Sequence, residues 1–270
     1  MKKYAHEITQ HDIPRTIWIC HSNRGAESVN LEIRSYLSYY RKNLNPGEIL
    51  MIRRNSYYYN TWLLNGDLAR VRDISDRSEA VDVVYNFRDE KNLVIKLVFR
   101  DAIISPLHES DVRLRVKILE NGLIKNAASL QKIQAALHVY AMKRYKSEKP
   151  PVNFDMYRKG DVYFNSLHVG YGYAITCHKA QGGEWEQVIA DMKHSLGPLS
   201  NGFRRWAYTA VTRASGRLLV LNPVKQADFL VDHTRFDPLR FRIDDTHSEV
   251  VSTIQSTVCD HLKLPKPVNG

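Results

Sequence analysis

The 270-residue sequence has only three cysteines, Cys20, Cys177 and Cys259, odd in number and too far apart for a zinc knuckle. A reduced, cytoplasmic protein is the simplest expectation. No apolar run is long enough to cross a bilayer, and His6, Glu7, His11 and Asp12 interrupt any apolar segment after Met1-Lys2-Lys3. Neither secretion nor membrane anchoring is therefore expected. His108, His138 and His168 share no ligand spacing, so no metal site is expected. Internal repeats and low-complexity tracts are missing too. The most consequential absence is the string G-x-x-x-x-G-K-[ST], whose backbone amides and lysine hold nucleotide phosphates while the Ser/Thr holds magnesium. Nor does an apolar strand end in paired carboxylates, because Asp89-Glu90 falls in a polar hairpin turn. Such a chain lacks the means to grip a nucleotide and its metal in the P-loop manner.

What is present is ordinary globular material, 43% apolar and 25% charged, with room for one large or two small domains. Lysine and arginine number 39 against 29 acidic residues, a net charge of +10 that favours a polyanionic partner.

Residues 1–14 read as a polar lead-in ending at Pro14. Thr16 to Cys20 (TIWIC) reads as a short buried strand, followed by a helix with Ser22 or Asn23 as its N-cap and Val29, Ile33, Leu37 and Tyr40 along one side. After the Asn45-Pro46-Gly47 turn the pattern changes. GEILMIRRNSYYYN, LNGDLARVRDI, AVDVVYNF and NLVIKLVFRDAII are rich in Val, Ile, Tyr and Phe and are separated by Asn-Gly, Ser-Asp and Asp-Glu breaks. About four or five antiparallel strands are expected there. The cluster Tyr57, Tyr58, Tyr59 and Trp62 suits either base stacking or a barrel core and rim. Ala127 to Tyr145 reads as a helix, KSEKPPVN as a loop, and QVIADM and RLLVLN as further strands, with Ser215-Gly216 as the turn into the last. Beyond Pro223, FLVDH and VVSTIQSTVCDHLKL read as short packing helices. Strand-helix units flanking a strand-rich insertion define an α/β domain with a barrel spliced into it.

Two blocks carry the chemistry. In YGYAITCHKAQGGEW, from Tyr171 to Trp185, a buried strand empties into a polar, glycine-containing loop. At such a strand end Thr176, His178, Gln181 and Glu184 can face a ligand. In RRWAYTAVTRAS, Trp206, Ala207, Ala210, Val211 and Ala214 continue a buried helical stripe from Phe203, with Thr209 and Arg213 one turn apart on a neighbouring face. An arginine held at a packed helix end makes a phosphate clamp, because its planar fork binds phosphate oxygens bidentately.

These residues carry a resemblance. Thr176, His178 to Gly182 and Glu184, with Tyr208 to Ala214, resemble motifs V and VI of superfamily 1 DNA helicases, in the branch that includes RecD and the phage Dda enzyme. Ser22-Asn23-Arg24 followed by Asn30, Ile33 and Arg34 is similar to motif IV, and Leu64 to Val71 resembles the strand that opens the SH3-like barrel of that branch. The resemblance implies a RecA-like parallel sheet (domain 2A, residues 1–45 and 166–225) interrupted by an SH3-like insertion (2B, 46–105), with a connection over 106–165 and an extension over 226–270.

It also implies roles. Arg213 would be the arginine finger and Glu184 would accept from the nucleotide ribose, with Gln181 and Gly182 at the interdomain cleft. Arg24 or Arg34 would make a second phosphate contact, and Thr176, His178 and Lys179 would face single-stranded DNA. ATP would bind only together with a first, P-loop domain, in cis or in trans, with Mg²⁺ not ligated by this chain. Hydrolysis by this chain alone is not expected. A nucleic-acid-binding module without catalysis, and a subunit completing a partner's P-loop, are the alternative expectations.

Overall fold

The computed structural model describes residues 15–37, 44–109, 111–123, 127–193, 197 and 200–223. The lead-in and the two C-terminal helices expected from the sequence lie outside these residues. The chain runs β1 (Thr16–Cys20), α1 (Asn23–Tyr36), β2 (Ile49–Ile52), β3 (Leu68–Phe87), β4 (Glu90–Pro106), β5 (Leu114–Leu119), α2 (Ala127–Glu148), α3 (Phe154–Gly160), β6 (Leu167–Tyr171), β7 (Ala174–Thr176), β8 (Trp185–Asp191), α4 (Asn201–Val211) and β9 (Ala214–Leu221).

Four strands form a sheet in the order β7-β1-β8-β9, and every neighbouring pair is parallel. Its centre is continuous apolar sequence: Ile17 and Ile19 point to one face with Val188, Ala190, Phe203 and Trp206, while Trp18 and Cys20 join the other. At β1 both faces are covered, as a central parallel strand requires. Of the two N-cap candidates, Ser22 and Asn23, the cap is Ser22, whose hydroxyl accepts from the Gly25 amide at 3.1 Å. Asn30 on α1 fixes the helix to the sheet. Its amide nitrogen donates to the Ala174 carbonyl and its amide oxygen accepts from the Ala174 N–H, each at 2.8 Å, so the outer edge of β7 is pinned.

The remaining strands close a barrel in the order β2-β3-β4-β5-β6. The segments LARVRDI and AVDVVYNF, expected as separate strands, are one 20-residue strand, β3. The Ser-Asp break between them is an irregularity in the β3–β4 register between Ile74 and Ser78. Buried Arg100 bridges that irregularity by donating to the carbonyls of Ser75 and Asp76 at 2.8 and 3.3 Å while pairing with Glu120. The outer half of this hairpin leaves the barrel and packs on α2 through Val83, Tyr85, Leu97, Phe99, Ile133 and Leu137.

The strands that close the barrel lie beyond the segment 46–105 expected from the sequence. β5 and β6 belong to it, and β6 pairs with both β2 and β5. The chain returns to the parallel sheet only at Gly172. A Cβ there would stand 2.8 Å from the Leu68 side chain and 3.0 Å from the Leu50 backbone, so only glycine lets the chain cross this close to the barrel wall.

Buried Arg34 pairs with fully buried Glu48 at 2.5 Å and lies 4.1 Å from the centre of the Tyr171 ring. This ties the end of α1 to the entrance of the barrel. It also corrects the expectation that Arg34 meets nucleotide phosphates: the guanidinium is enclosed by the protein's own carboxylate and ring.

Candidate nucleotide and nucleic-acid interface

The segment between β7 and β8 has to cross β1, because the sheet order places β1 between them. Register shows the distance covered. Thr176 is level with Cys20 at the carboxyl end of β1, whereas Gln187 is level with Thr16 at its amino end. The crossing therefore starts at one edge of the sheet and finishes at the other, and the residues read as one loop divide into two groups.

At the carboxyl edge, the Thr176 carbonyl accepts from the amides of Lys179 and Ala180 at 2.9 and 3.1 Å, which winds the chain into a turn. Thr176 itself is buried, His178 is exposed and Lys179 is half-buried. Burial, reinforced by Arg53 and opposed by Glu27, holds the Lys179 ammonium below the ordinary lysine range. Arg53, at the end of β2, bonds Glu27 of α1 at 3.1 Å and the Gly122 carbonyl at 3.0 Å. Lys179 thus lies in a basic seam between sheet and barrel. Exposed Arg24 follows the carboxyl end of β1 in the first turn of α1, where free amides favour an anion.

Gln181 and Gly182 are exposed in the turn that the Gly183 amide closes on the Ala180 carbonyl at 3.1 Å, and Gly182 turns with φ of 81°, a left-handed conformation suited to glycine. Beyond them Arg213 closes on the chain. Its Nη1 donates to the Gly183 carbonyl at 3.3 Å, and its own carbonyl accepts from the Trp185 amide at 2.9 Å. Exposed Glu184 lies between these two bonds. The Arg213 Nε donates to the Thr209 carbonyl and Nη2 to the Thr212 hydroxyl, each at 3.2 Å. Three of the five N–H donors of the guanidinium hold it in place and two are left for a ligand.

The helix before Arg213 is placed by its apolar stripe, with Phe203, Trp206 and Ala210 buried against the sheet and Ser200 capping the start through the Phe203 amide. Strand β9 begins at Ala214, directly after Arg213, so Ser215-Gly216 lies inside the strand instead of forming a turn. The bond from Trp185 to Arg213 starts the β8–β9 ladder early, and the arginine is held by helix and sheet together.

Of the residues expected at the nucleotide, Arg213 bonds the chain on either side of Glu184, two residues beyond the Gln181-Gly182 pair. Arg24, expected at the nucleotide phosphates, follows the carboxyl end of β1, on the same edge as Thr176. Sequence reasoning passed over Arg53 and Glu27. The Arg53-Arg54 pair directly after the apolar run ILMI was the available signal.

The tyrosine cluster divides as well. Tyr59 is buried and its hydroxyl accepts from the Lys117 amide, whereas Tyr57 and Trp62 are 65% and 72% exposed and meet edge to face at 5.9 Å. Among the described residues no group of three His, Cys, Asp or Glu side chains could hold a metal, and no helix is long and apolar enough to cross a membrane.

Fold and site together define an α/β domain with a parallel sheet, an inserted barrel and an arginine fixed at the junction of helix and strand. Residues 171–221 match the family model of the UvrD-like helicase C-terminal domain. An uncharacterized protein of Methanocaldococcus jannaschii, MJ1519, is 35% identical over 74 residues, which is 27% of this chain and 6% of that protein. The structure is similar to the Pif1 helicase of Candida albicans, at 15% identity and a TM-score of 0.35 over 95% of this chain and 54% of that one. It is also similar to a Bacteroides Pif1 helicase solved with ADP-AlF3 and ssDNA, at 12% identity and a TM-score of 0.38 over 85% of this chain and 46% of that one. The chain spans about half the length of these helicases.

Proposed function

We propose that the chain is the carboxyl-terminal motor domain of an ATP-dependent DNA helicase of the RecD and Dda kind, acting with a P-loop domain supplied in cis or in trans. In this reading the parallel sheet is domain 2A and the barrel, with β5 and β6 included, is the SH3-like domain 2B. The observation that carries the proposal is the bonding of Arg213 on both sides of Glu184 at one sheet edge. A fixed guanidinium beside an exposed carboxylate suits a nucleotide presented by an opposing domain, the cation meeting phosphate and the carboxylate accepting from the ribose.

Arg213 then neutralises charge on the transferring phosphoryl group, while Gln181 and Gly182 pass the closure of the cleft along the β7–β8 crossing. His178 and Lys179, with the Thr176 backbone, meet the phosphates of single-stranded DNA at the other edge, and Arg24 belongs with them. ATP and Mg²⁺ are needed, and the metal is held by the P-loop partner. Because the same crossing has one end at each edge, a shift at the nucleotide end moves the DNA end.

The test joins the chain to a P-loop RecA-like domain and measures ATP hydrolysis with and without single-stranded DNA. DNA-stimulated turnover that Arg213→Ala abolishes supports the proposal. Robust turnover by this chain alone refutes the division of labour. Strand binding with no effect on any P-loop partner would instead identify a binding module without catalysis.

A further inference from the structure

Beyond the end of β2, between β6 and α2, lies a cavity of about 650 Å³ that the proposed function does not use. Its walls include Arg53, Arg54 and Arg158, the amide of Gln134 and the imidazole of His168, with no aspartate or glutamate among the described lining residues. Two of the arginines have carboxylate partners elsewhere: Arg53 pairs with Glu27 at 3.1 Å, and Arg158 with Asp155 at 3.0 Å. Arg54 differs. It is exposed, its Nη1 donates to Gln134 Oε1 at 2.8 Å, and among the described residues no carboxylate pairs with it.

His168 supplies the second observation. The ring is 8% exposed on β6, and its Nε2 is buried with no hydrogen-bond partner. Burying a polar nitrogen unpaired costs about 1–3 kcal/mol, so such groups are ordinarily satisfied. Burial first, and then the charge of Arg54, push this imidazole down to about 4, so the ring is neutral near pH 7 and carries one N–H. A cavity with excess guanidinium charge, an amide and no carboxylate among its described lining residues asks for a multiply charged anion. Guanidinium forks match phosphate oxygens bidentately, and this volume has room for what the phosphate is attached to.

We infer that this cavity is a phosphate-binding site, with Arg54 contacting a phosphate group borne by a nucleic-acid strand or by a free nucleotide. The site is separate from the motor cleft at Arg213 and stands whether or not that reading holds.

The full chain is titrated with inorganic phosphate, with adenosine 5′-monophosphate and with a short thymidine oligonucleotide carrying a 5′-hydroxyl, following arginine Nε–H resonances and heats of binding. Saturable binding is expected that Arg54→Gln weakens about tenfold, the loss of one charge-assisted contact. Arg77→Gln, which removes the same charge from an exposed position on β3, should leave it unchanged. If the oligonucleotide competes with inorganic phosphate, the source is a strand phosphodiester. If only inorganic phosphate and the mononucleotide bind, it is a free phosphate. Either result supports the site. Absence of saturation by about 10 mM, weaker than any useful affinity, or equal binding by the Arg54 and Arg77 variants, overturns it. Lys179→Ala keeps the two readings apart, since it should weaken strand binding through the β7–β8 crossing while inorganic phosphate still titrates normally.

Discussion

The guanidinium of Arg213 donates to the carbonyl of Gly183 at 3.3 Å, thirty residues away in sequence, so the end of α4 and the end of the β7–β8 crossing are one rigid unit. An arginine finger depends on being positioned before its substrate arrives, because electrostatic stabilisation is strongest where nothing has to reorganise.

In a reconstituted two-domain enzyme, Arg213→Ala should lower DNA-stimulated ATP turnover by roughly 10³-fold or more, the range for such a residue. Arg213→Lys should recover little of it, since a point charge cannot copy the fork. Steady-state hydrolysis checks this, with single-stranded DNA affinity of the isolated chain as the internal control, expected within about twofold of wild type because Arg213 makes no phosphate contact to the strand.

Arg34 and Glu48 form a pair inside the protein, the arginine 7% exposed and the glutamate fully buried. Removing one partner leaves the other charge buried and alone, which costs about 3–5 kcal/mol. Arg34→Ala should therefore shift the urea midpoint strongly while leaving nucleotide-dependent properties of any folded fraction intact. Arg24→Ala, at an exposed position, should leave the midpoint nearly unchanged.

That contrast shows how far sequence reading reached. Periodicity and capping located β1, α1 and α4, because one buried stripe and one hydroxyl cap are local signals: Phe203, Trp206 and Ala210, and Ser22. Motif spacing located Arg213 and Glu184 because helix and strand ends fix them within a few residues. Strand-to-strand pairing is not local, so nothing in LHVGY announced that β6 closes the barrel instead of opening the sheet. The same holds for Arg34. Its position in an arginine-bearing helix looked like a ligand contact, and only the fold brings Glu48 across to occupy it.

Asn30 offers a sharper measure of that helix's anchorage. Its side chain replaces a neighbouring strand at the edge of β7, making both bonds to the Ala174 backbone. Asn30→Ala should destabilise by roughly 2 kcal/mol, the cost of leaving a buried donor and acceptor unpaired. Hydrogen exchange should locate the loss, with the Ala174 amide losing protection before its neighbours on β1.

His168 sets a pH dependence. Burial and Arg54 depress its folded-state value to about 4, below the ordinary histidine value of 6.5. The native state therefore binds fewer protons than the unfolded chain between those values. The contribution to stability is complete above pH 6.5 and is lost as pH falls toward 4, by roughly 3 kcal/mol in all. His168→Gln does not titrate and should flatten this part of the curve. Urea unfolding at a series of pH values compares the two slopes, and equal slopes would place the acid sensitivity on other groups.

Lys179 tests the DNA edge directly. Its ammonium is held below the ordinary lysine range by burial and by Arg53, with Glu27 opposing. A strand phosphate would add to the one carboxylate, Glu27, that already faces these two cations. Each phosphate neutralised on a single strand contributes about 0.7 to the slope of log affinity against log salt. Lys179→Ala should therefore weaken single-stranded DNA binding and reduce the slope by about that amount, at every sequence tested. His178→Ala should also weaken binding. A Lys179 variant with an unaltered slope would move the strand away from the carboxyl edge of β1 and β7, and with it the idea that one crossing segment reports nucleotide closure to DNA.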